Sequence, residues 1–389
     1  MIGNFQKIGA YISVIDNRNT DGSITRLMGI SIDKCYIPSV ANVIGTDLNN
    51  YKVIRKGQFA CSLMQVSRDQ RIPIAMYEDD APAIMSPAYV MFEVSHPDEL
   101  LPEYMELWFK RAEFDREASF YAVGGVRGSL DWEDFCKMEL PIPPLSEQRK
   151  IAHDYQVITD RIELLRKESN IIEEMIGTLF RQYILENKKY DDYVVFEFGQ
   201  YPSVWSLDRM DAIVDVRDGT HDSPSSVSEG HKLVTSVHLN SYSVNTQDAY
   251  AISDKDYNEI NKRSLVKTWD ILMSMIGTVG RLSLVTDNPV DFAIKNMALF
   301  KTSNLSHEMC LYLLSYLKSD VTNKYLSSFL AGSTQSYVSL ETLRSMPVII
   351  PFDDDLQVFV NNVEPMYYSL ITLEKEIHCL ETLALRVCP

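Results

Sequence analysis

Between residues 45 and 72 five cations, Lys52, Arg55, Lys56, Arg68 and Arg71, stand against two acids, Asp47 and Asp69, in a 389-residue chain with a formal net charge of −17. Cations at that density can neutralise phosphate, and a chain this acidic holds such a surface only locally or shares it with a partner. The competing reading is a set of solvated side chains between strands.

Bond-making chemistry is not encoded in any pattern of this sequence. There is no GxGxxG after a strand and no GxxxxGK[ST], and the turn VGGVRG at Val123 to Gly128 has the wrong spacing and no lysine. Asn288-Pro289 is followed by Val290 and Asp291, without the aromatic side chain on which an amino-methyltransferase stacks a flipped base. The acid run Glu78 to Asp80 lacks a paired lysine and reads as a turn; Asp353 to Asp355 reads as the negative start of a helix, where the macrodipole favours it. His221, His231 and His238 do not have ligand spacing, so metal binding is unsupported. Six cysteines without a CxxC pair read as reduced thiols, and the N-terminus lacks the features of a signal peptide, so a cytoplasmic location is expected. No run is apolar and long enough to suggest a membrane span. An acidic chain without a reactive constellation reads as a recognition or scaffolding component.

The elements that must position these residues come in two copies. Met138 and Met346 differ by 208, as do Pro143 and Pro351, Phe92 and Phe300, and Leu165 and Leu373. Each copy gives short β-rich runs, a helix (Pro102 to Phe120 in the first), a small-residue turn (Val123 to Gly128; Ala331 to Gln335), a short restart and a Pro-containing apolar run. A long amphipathic helix then follows. In the first copy its apolar positions are Ile151, Tyr155, Ile158, Ile162, Leu165, Ile172, Ile176 and Leu179, continuing to Tyr183 with Ser169 as the one small polar member. The second has Leu356, Phe359, Val363, Met366, Leu370, Leu373, Ile377 and Leu380, continuing to Val387. Spacings alternate three and four, the signature of a heptad seam. The fold class is therefore mixed α/β: two pseudo-symmetric domains joined by two long antiparallel helices forming a coiled coil. Expected boundaries are 1–145 and 188–352 for the domains, 146–187 and 353–389 for the helices. Pro365 predicts a kink, or a helix whose regular part begins near it.

At WEDFCKMELPIPPLSEQRKIA, residues 132 to 152, the chain resembles the specificity subunits of Type I restriction-modification systems. The likeness extends over essentially the full length. Its most specific run is Leu140 to Lys150, in which two closely spaced prolines and a Pro-Leu-Ser lead to Glu147-Gln148 and a basic pair; the second copy has Asp355, Leu356 and Gln357 instead. Tyr201 to Trp205, Gly219-Thr220-His221, Trp269 to Leu272 and Gly277 to Gly280 are similar to further family elements, with Trp269 in place of a usual glycine. The resemblance implies a chain with no catalytic activity and no cofactor of its own. It implies two target recognition domains that read a split, asymmetric sequence in double-stranded DNA across a spacer set by helix length. Two copies of a modification subunit, carrying S-adenosylmethionine and the adenine-N6 methyltransferase site, would grip the long helices, and restriction motor-nuclease subunits would join them; no membrane is involved.

On that resemblance the candidate DNA contacts are Arg55, Lys56, Arg68, Arg71 and Arg127 in the first domain. In the second they are Arg217, Thr220, His221, Lys267, Ser274, Thr278 and Arg281. For each, a structural or surface role competes. Two rival readings stand beside this one: a coiled-coil interaction scaffold that binds no nucleic acid, which suits the acidity, and an enzyme with an unrecognised site.

Overall fold

The computed structural model describes residues 4–39, 46–122, 128–330 and 337–388. It divides into two compact units, Met1–Ile162 with Cys379–Pro389, and Glu163–His378. Each long helix thus contributes to both.

The first unit is built on an antiparallel sheet of four short strands in the order Ile12–Ile15, Val90–Val94, Phe59–Cys61, Ile74–Met76. The inner strands read as near-continuous apolar runs because both their faces are buried, successive side chains pointing to opposite faces, while the edge strand Ile12–Ile15 leaves Ser13 and Val14 exposed. Phe59, Cys61, Ile74 and Phe92 face a core shared with helices Pro102–Phe109, Ala112–Tyr121 and Trp132–Lys137. There Phe59 stacks on Phe92 at 5.2 Å, with Phe109, Phe114 and Phe135 edge-on or tilted around them. Ile15, Ala60, Ala75 and Met91 face a second core with Met28, Ile30, Ile54 and Met85. That core belongs to an insertion made of two strand pairs, Met28–Ile30 with Tyr36–Pro38 and Lys52–Ile54 with Ala83–Met85.

The second unit repeats the sheet in the same order: Val216–Asp218, Met297–Phe300, Ile271–Ser274, Leu282–Leu284. Register is conserved as well, since Phe59 opposes Phe92 and Ile271 opposes Phe300. Ile271, Met273 and Phe300 face the helical core; Leu272, Met297 and Leu299 face the insertion. This insertion is unlike the first. It is a three-stranded sheet, Ala251–Ile252, His231–Val234, Phe292–Ile294, with one parallel pair, and helix Asp254–Ser264 follows its edge strand Ala251–Ile252. The offset of 208 holds at Met76 with Leu284 and Phe92 with Phe300 and shifts at the other two strands, where Val14 corresponds to Val216 and Phe59 to Ile271; the sheet is duplicated throughout, and the insertion differs in kind.

Equivalent hydrogen bonds fix each unit. Tyr104 donates to the Pro141 carbonyl at 3.1 Å, and Tyr312, 208 residues on, donates to the Ile349 carbonyl. A leading strand pairs with the strand before each long helix, Asn4–Lys7 with Glu139–Ile142 and Ser206–Arg209 with Pro347–Ile350.

The first long helix spans Leu145–Phe180 and ends in a wider π-turn, Arg181–Leu185; the second spans Asp353–Val387. Of the heptad positions, Ile158, Ile162, Leu165, Ile176, Leu356, Phe359, Val363, Leu370 and Leu373 are buried. Ile151, Tyr155, Ile172, Leu179, Met366, Ile377 and Leu380 are half-buried. The heptad reading needs one correction. At the end of the first helix the deepest positions are Ile176, Phe180 and Ile184, four apart, and in the second helix Val360, Tyr367 and Ile371 are buried beside the stripe. Each helix here packs against its domain as well as its sister helix, and a face that serves both is wider than a heptad seam. Within the second unit the helices run antiparallel: Phe180 meets Phe359 at 5.8 Å, while Glu173, earlier in the first helix, shares Tyr242 with Glu374, later in the second. The second helix continues through Pro365, so its regular part does not begin there. The proline removes the partner of the Asn361 carbonyl, and both residues are exposed, so water can take its place.

Candidate nucleic-acid interface

In the second domain three loops meet at one end of the four-stranded sheet. Asp218 opposes Ala298 and Met297 opposes Ser274, so two strands end and one begins at that edge. The Gly219 N–H donates to the Met297 carbonyl at 2.9 Å, that of Thr220 to Ile294 at 3.0 Å, and that of Asn296 to Thr220 at 3.1 Å. A Cβ on Gly219 would lie 2.3 Å from the Ile294 carbonyl oxygen, so this closure requires glycine. His221 projects from the loop, exposed, with Nδ1 at 2.9 Å from Asn296 Oδ1 and Nε2 at 2.9 Å from Asp218 Oδ2. Arg263, from helix Asp254–Ser264, donates to the Gly219 carbonyl at 3.1 Å and pairs with Asp218 at 3.2 Å.

The third loop joins Ser274 to Arg281. Ser274 is buried; its hydroxyl donates to the Thr278 carbonyl and accepts the Arg281 N–H at 2.9 Å. Its place as a DNA contact is therefore corrected: it holds the turn whose tip, with Gly277 and Gly280 at φ +76° and +86°, exposes Thr278 and Arg281. The Arg281 guanidinium has no partner among the described residues. Arg217 lies one strand position inward, paired with Asp215 at 2.7 Å. Lys267 is at the opposite end of the sheet, in the turn where Asp270 accepts the N–H groups of Lys267 at 2.8 Å and Ser303 at 3.0 Å. Thr220, His221, Thr278 and Arg281 are thus brought together, and Lys267 is not.

The first domain divides in the same way. Arg68 and Arg71 lie in the connection between strands Phe59–Cys61 and Ile74–Met76, the counterpart of the Ser274–Arg281 turn. Arg55 and Lys56 precede Phe59 at the other end, the counterpart of Lys267; Gly57 there has φ +81° and its equivalent, Trp269, has φ +72°. Three of these cations have neighbouring carboxylates: Lys56 pairs with Asp80 at 2.7 Å, Arg68 with Asp69 at 2.7 Å and Arg71 with Asp33 at 3.1 Å. All three pairs are exposed, so little free energy holds them and a phosphate can compete for the cation. The Arg55 guanidinium has no partner among the described residues. Lys52 is largely buried, donating to the Tyr89 carbonyl at 2.8 Å, and serves the fold. Arg127 lies outside the described residues.

Several site residues had weak sequence signals. Arg263 and Asn296 hold the loop that carries His221, but they lie far from it in sequence, in a polar helix and at a strand start. Asn296 has φ +55°, a conformation asparagine tolerates better than most residues. In the first domain Lys34 forms a buried ion pair with Asp115 at 2.8 Å, and Asp115 also accepts the Ile72 N–H at 3.1 Å. Burial pushes the Lys34 pKa down. This pair ties the insertion to the helical layer beside Arg71.

Comparison with known proteins adds the following. Residues 65–174 and 229–379 match the model of the Type I restriction modification DNA specificity domain. The chain is 24% identical over 296 residues to the Type I restriction enzyme MjaIX specificity subunit of Methanocaldococcus jannaschii, covering 73% of this chain and 66% of that protein. It is 22% identical over 263 residues to the MjaVIII specificity subunit of the same organism, covering 65% and 60%. The matched part therefore spans less than two thirds of either relative. A solved Type I restriction-modification system S subunit from M. genitalium shares the fold, with a TM-score of 0.54 at 12% identity, over 99% of this chain and 96% of that one. No described helix is long and apolar enough to cross a membrane.

Proposed function

This chain belongs to the Type I restriction-modification specificity family, and from that premise we propose that it is the non-catalytic subunit that selects the DNA sequence on which such a complex acts. The carrying observation is one sheet built twice, in the same order and register, with two unlike insertions. A duplicated frame offers equivalent positions to two identical partners, while unlike insertions read two different half-sites in a bipartite, asymmetric target. The loops at one sheet end present Thr220, His221, Thr278 and Arg281, and in the first domain Arg68 and Arg71. Such groups reach phosphates or the base edges displayed in the major groove.

Scaffolding of two modification subunits is supported by the first long helix. Val157, Leu164 and Ile171 lie seven apart, on one exposed stripe continued by Met175. This second apolar stripe is unlike the buried one and suits a helical partner. S-adenosylmethionine and the adenine-N6 chemistry belong to those partners, restriction subunits join the same core, and the partners supply much of the phosphate neutralisation that a −17 chain lacks.

The test is detection of N6-methyladenine by long-read sequencing in a host with and without this chain. A two-part motif present only with the chain is the expected result. An unchanged methylation pattern together with failure to copurify a methyltransferase would favour a scaffold without nucleic acid.

A further inference from the structure

At the sheet end that carries the loops just described, each domain also leaves large apolar side chains in solvent. In the first, Met64 is 58% exposed in the connection that carries Arg68, and Phe120 is 75% exposed with Tyr121 against it at 5.8 Å. Phe120 lies on helix Ala112–Tyr121, which packs on the short helix Val66–Asp69. In the second, Ile276 is 44% exposed at the start of the Ser274–Arg281 turn, and Tyr337, bridged to it, is 47% exposed. Phe329 is 51% exposed on helix Asp320–Leu330, the counterpart of the Phe120 helix 208 residues on. Gly280, at φ +86°, brings the turn close to the same helix, where a Cβ would lie 3.3 Å from the end of the Leu326 side chain.

Single exposed apolar residues are ordinary, but this pattern is not a scatter. The turn after the third strand of the sheet and the end of the following helix each carry one, in both domains, although the side chains differ. Met64 corresponds to Ile276 and the Phe120–Tyr121 pair to Phe329. A duplicated fold keeps its buried residues for packing, whereas these stay largely exposed, Phe329 touching the core only at its edge through Tyr325 at 5.0 Å. Their neighbours are Arg68 in one domain and, in the other, Arg281, whose guanidinium has no partner among the described residues, so an apolar surface lies beside cations.

We propose that these residues are an apolar DNA contact in each recognition domain, with Phe120 in the first and Phe329 in the second placed against base or sugar surfaces of the duplex. Aromatic faces stack on any base, and apolar side chains wedged at a base step ease unstacking. In this arrangement the cations orient the backbone while the aromatic groups press on the bases. The proposal rests on the DNA-selecting role argued above.

The experiment uses the assembled complex of the full chain with its modification subunits. The probe is a duplex carrying the chain-dependent methylated motif, with a scrambled duplex as control, titrated at several salt concentrations. Phe120→Ala and Phe329→Ala are each expected to weaken binding about tenfold at every salt concentration, without a change in salt slope. Phe120→Trp and Phe329→Trp should retain it, whereas Arg68→Ala should reduce the slope by about one. A loss below about twofold in both alanine variants, or a loss confined to low salt, overturns the proposal. So does loss of the copurifying modification subunit from an otherwise folded variant, which would make the occupant a protein. If the wild-type complex yields no methylated motif, the DNA-selecting role itself fails, an outcome distinct from the others.

Discussion

Gln148 and Asp355 do similar work at the starts of the two long helices with different chemistry. The Gln148 side chain is fully buried; its amide donates to the carbonyls of Glu99 at 2.7 Å and Pro143 at 2.8 Å and accepts the Leu101 N–H at 2.8 Å. Gln148→Ala would leave all three unpaired and should cost about 2–3 kcal/mol, measured by chemical denaturation of the full chain. At the second helix the place of Gln148 is taken by Leu356, and polar anchoring passes to Asp355. Its carboxylate accepts from Lys189 at 2.7 Å, Tyr190 at 2.6 Å and Trp205 at 3.3 Å. Burial pushes its pKa up, but these donors outweigh it and hold the carboxyl below the usual range. A depressed pKa stabilises the fold above the unfolded value of 3.8, and that contribution is lost as pH falls through the folded one. Asp355→Asn should therefore be less stable than wild type at neutral pH, by about 1.5–3 kcal/mol, with the gap closing below about pH 4 in a thermal-melt series. Glu-Gln in one copy and Asp-Leu in the other were plain in the sequence; their roles were not, because the partners lie between 5 and 166 residues away. Trp269 makes the same point. It stands where the family usually has glycine, at a left-handed backbone position that Gly57 also occupies, and packs against His307 at 4.7 Å.

Among the elements, the two long helices were the most legible, because a period sustained over ten positions is hard to produce by chance. What periodicity did not give was the width of the buried face, since a stripe that serves two neighbours is longer around the helix than a heptad seam. The strands were harder. Three to five residues with both faces buried do not alternate, and strand pairs such as Ile15 with Met91 form across gaps that local propensity does not bridge. Ser274 illustrates the cost: its position in a family-like stretch suggested contact with DNA, whereas its hydroxyl is turned inward to hold a turn. The exposed stripe Val157, Leu164 and Ile171 carries a prediction at this scale. Replacing all three with serine should leave the melting temperature within a few degrees of wild type, because none is buried. Copurification of the modification subunit should be lost. Retention of the subunit at wild-type stoichiometry would show that the stripe is not where it docks.

In the whole molecule, the acidity and the duplication have one explanation. On the proposed function, a frame that offers the same positions twice suits two copies of one partner, and those partners would supply charge that this chain does not. On that function the unlike insertions, two strand pairs in the first unit and a partly parallel sheet with a helix in the second, would make the half-sites different. Both helices pass from one unit to the other, between Ile162 and Glu163 and between His378 and Cys379. Matched insertions of four residues at these two places would lengthen each helix by about 6 Å, the rise of one to two base pairs at about 3.4 Å each. The most direct measurement is therefore N6-methyladenine sequencing of hosts carrying either the wild-type chain or this variant. The same two half-sites separated by a spacer one or two base pairs longer is the predicted result. An altered half-site with an unchanged spacer would contradict it.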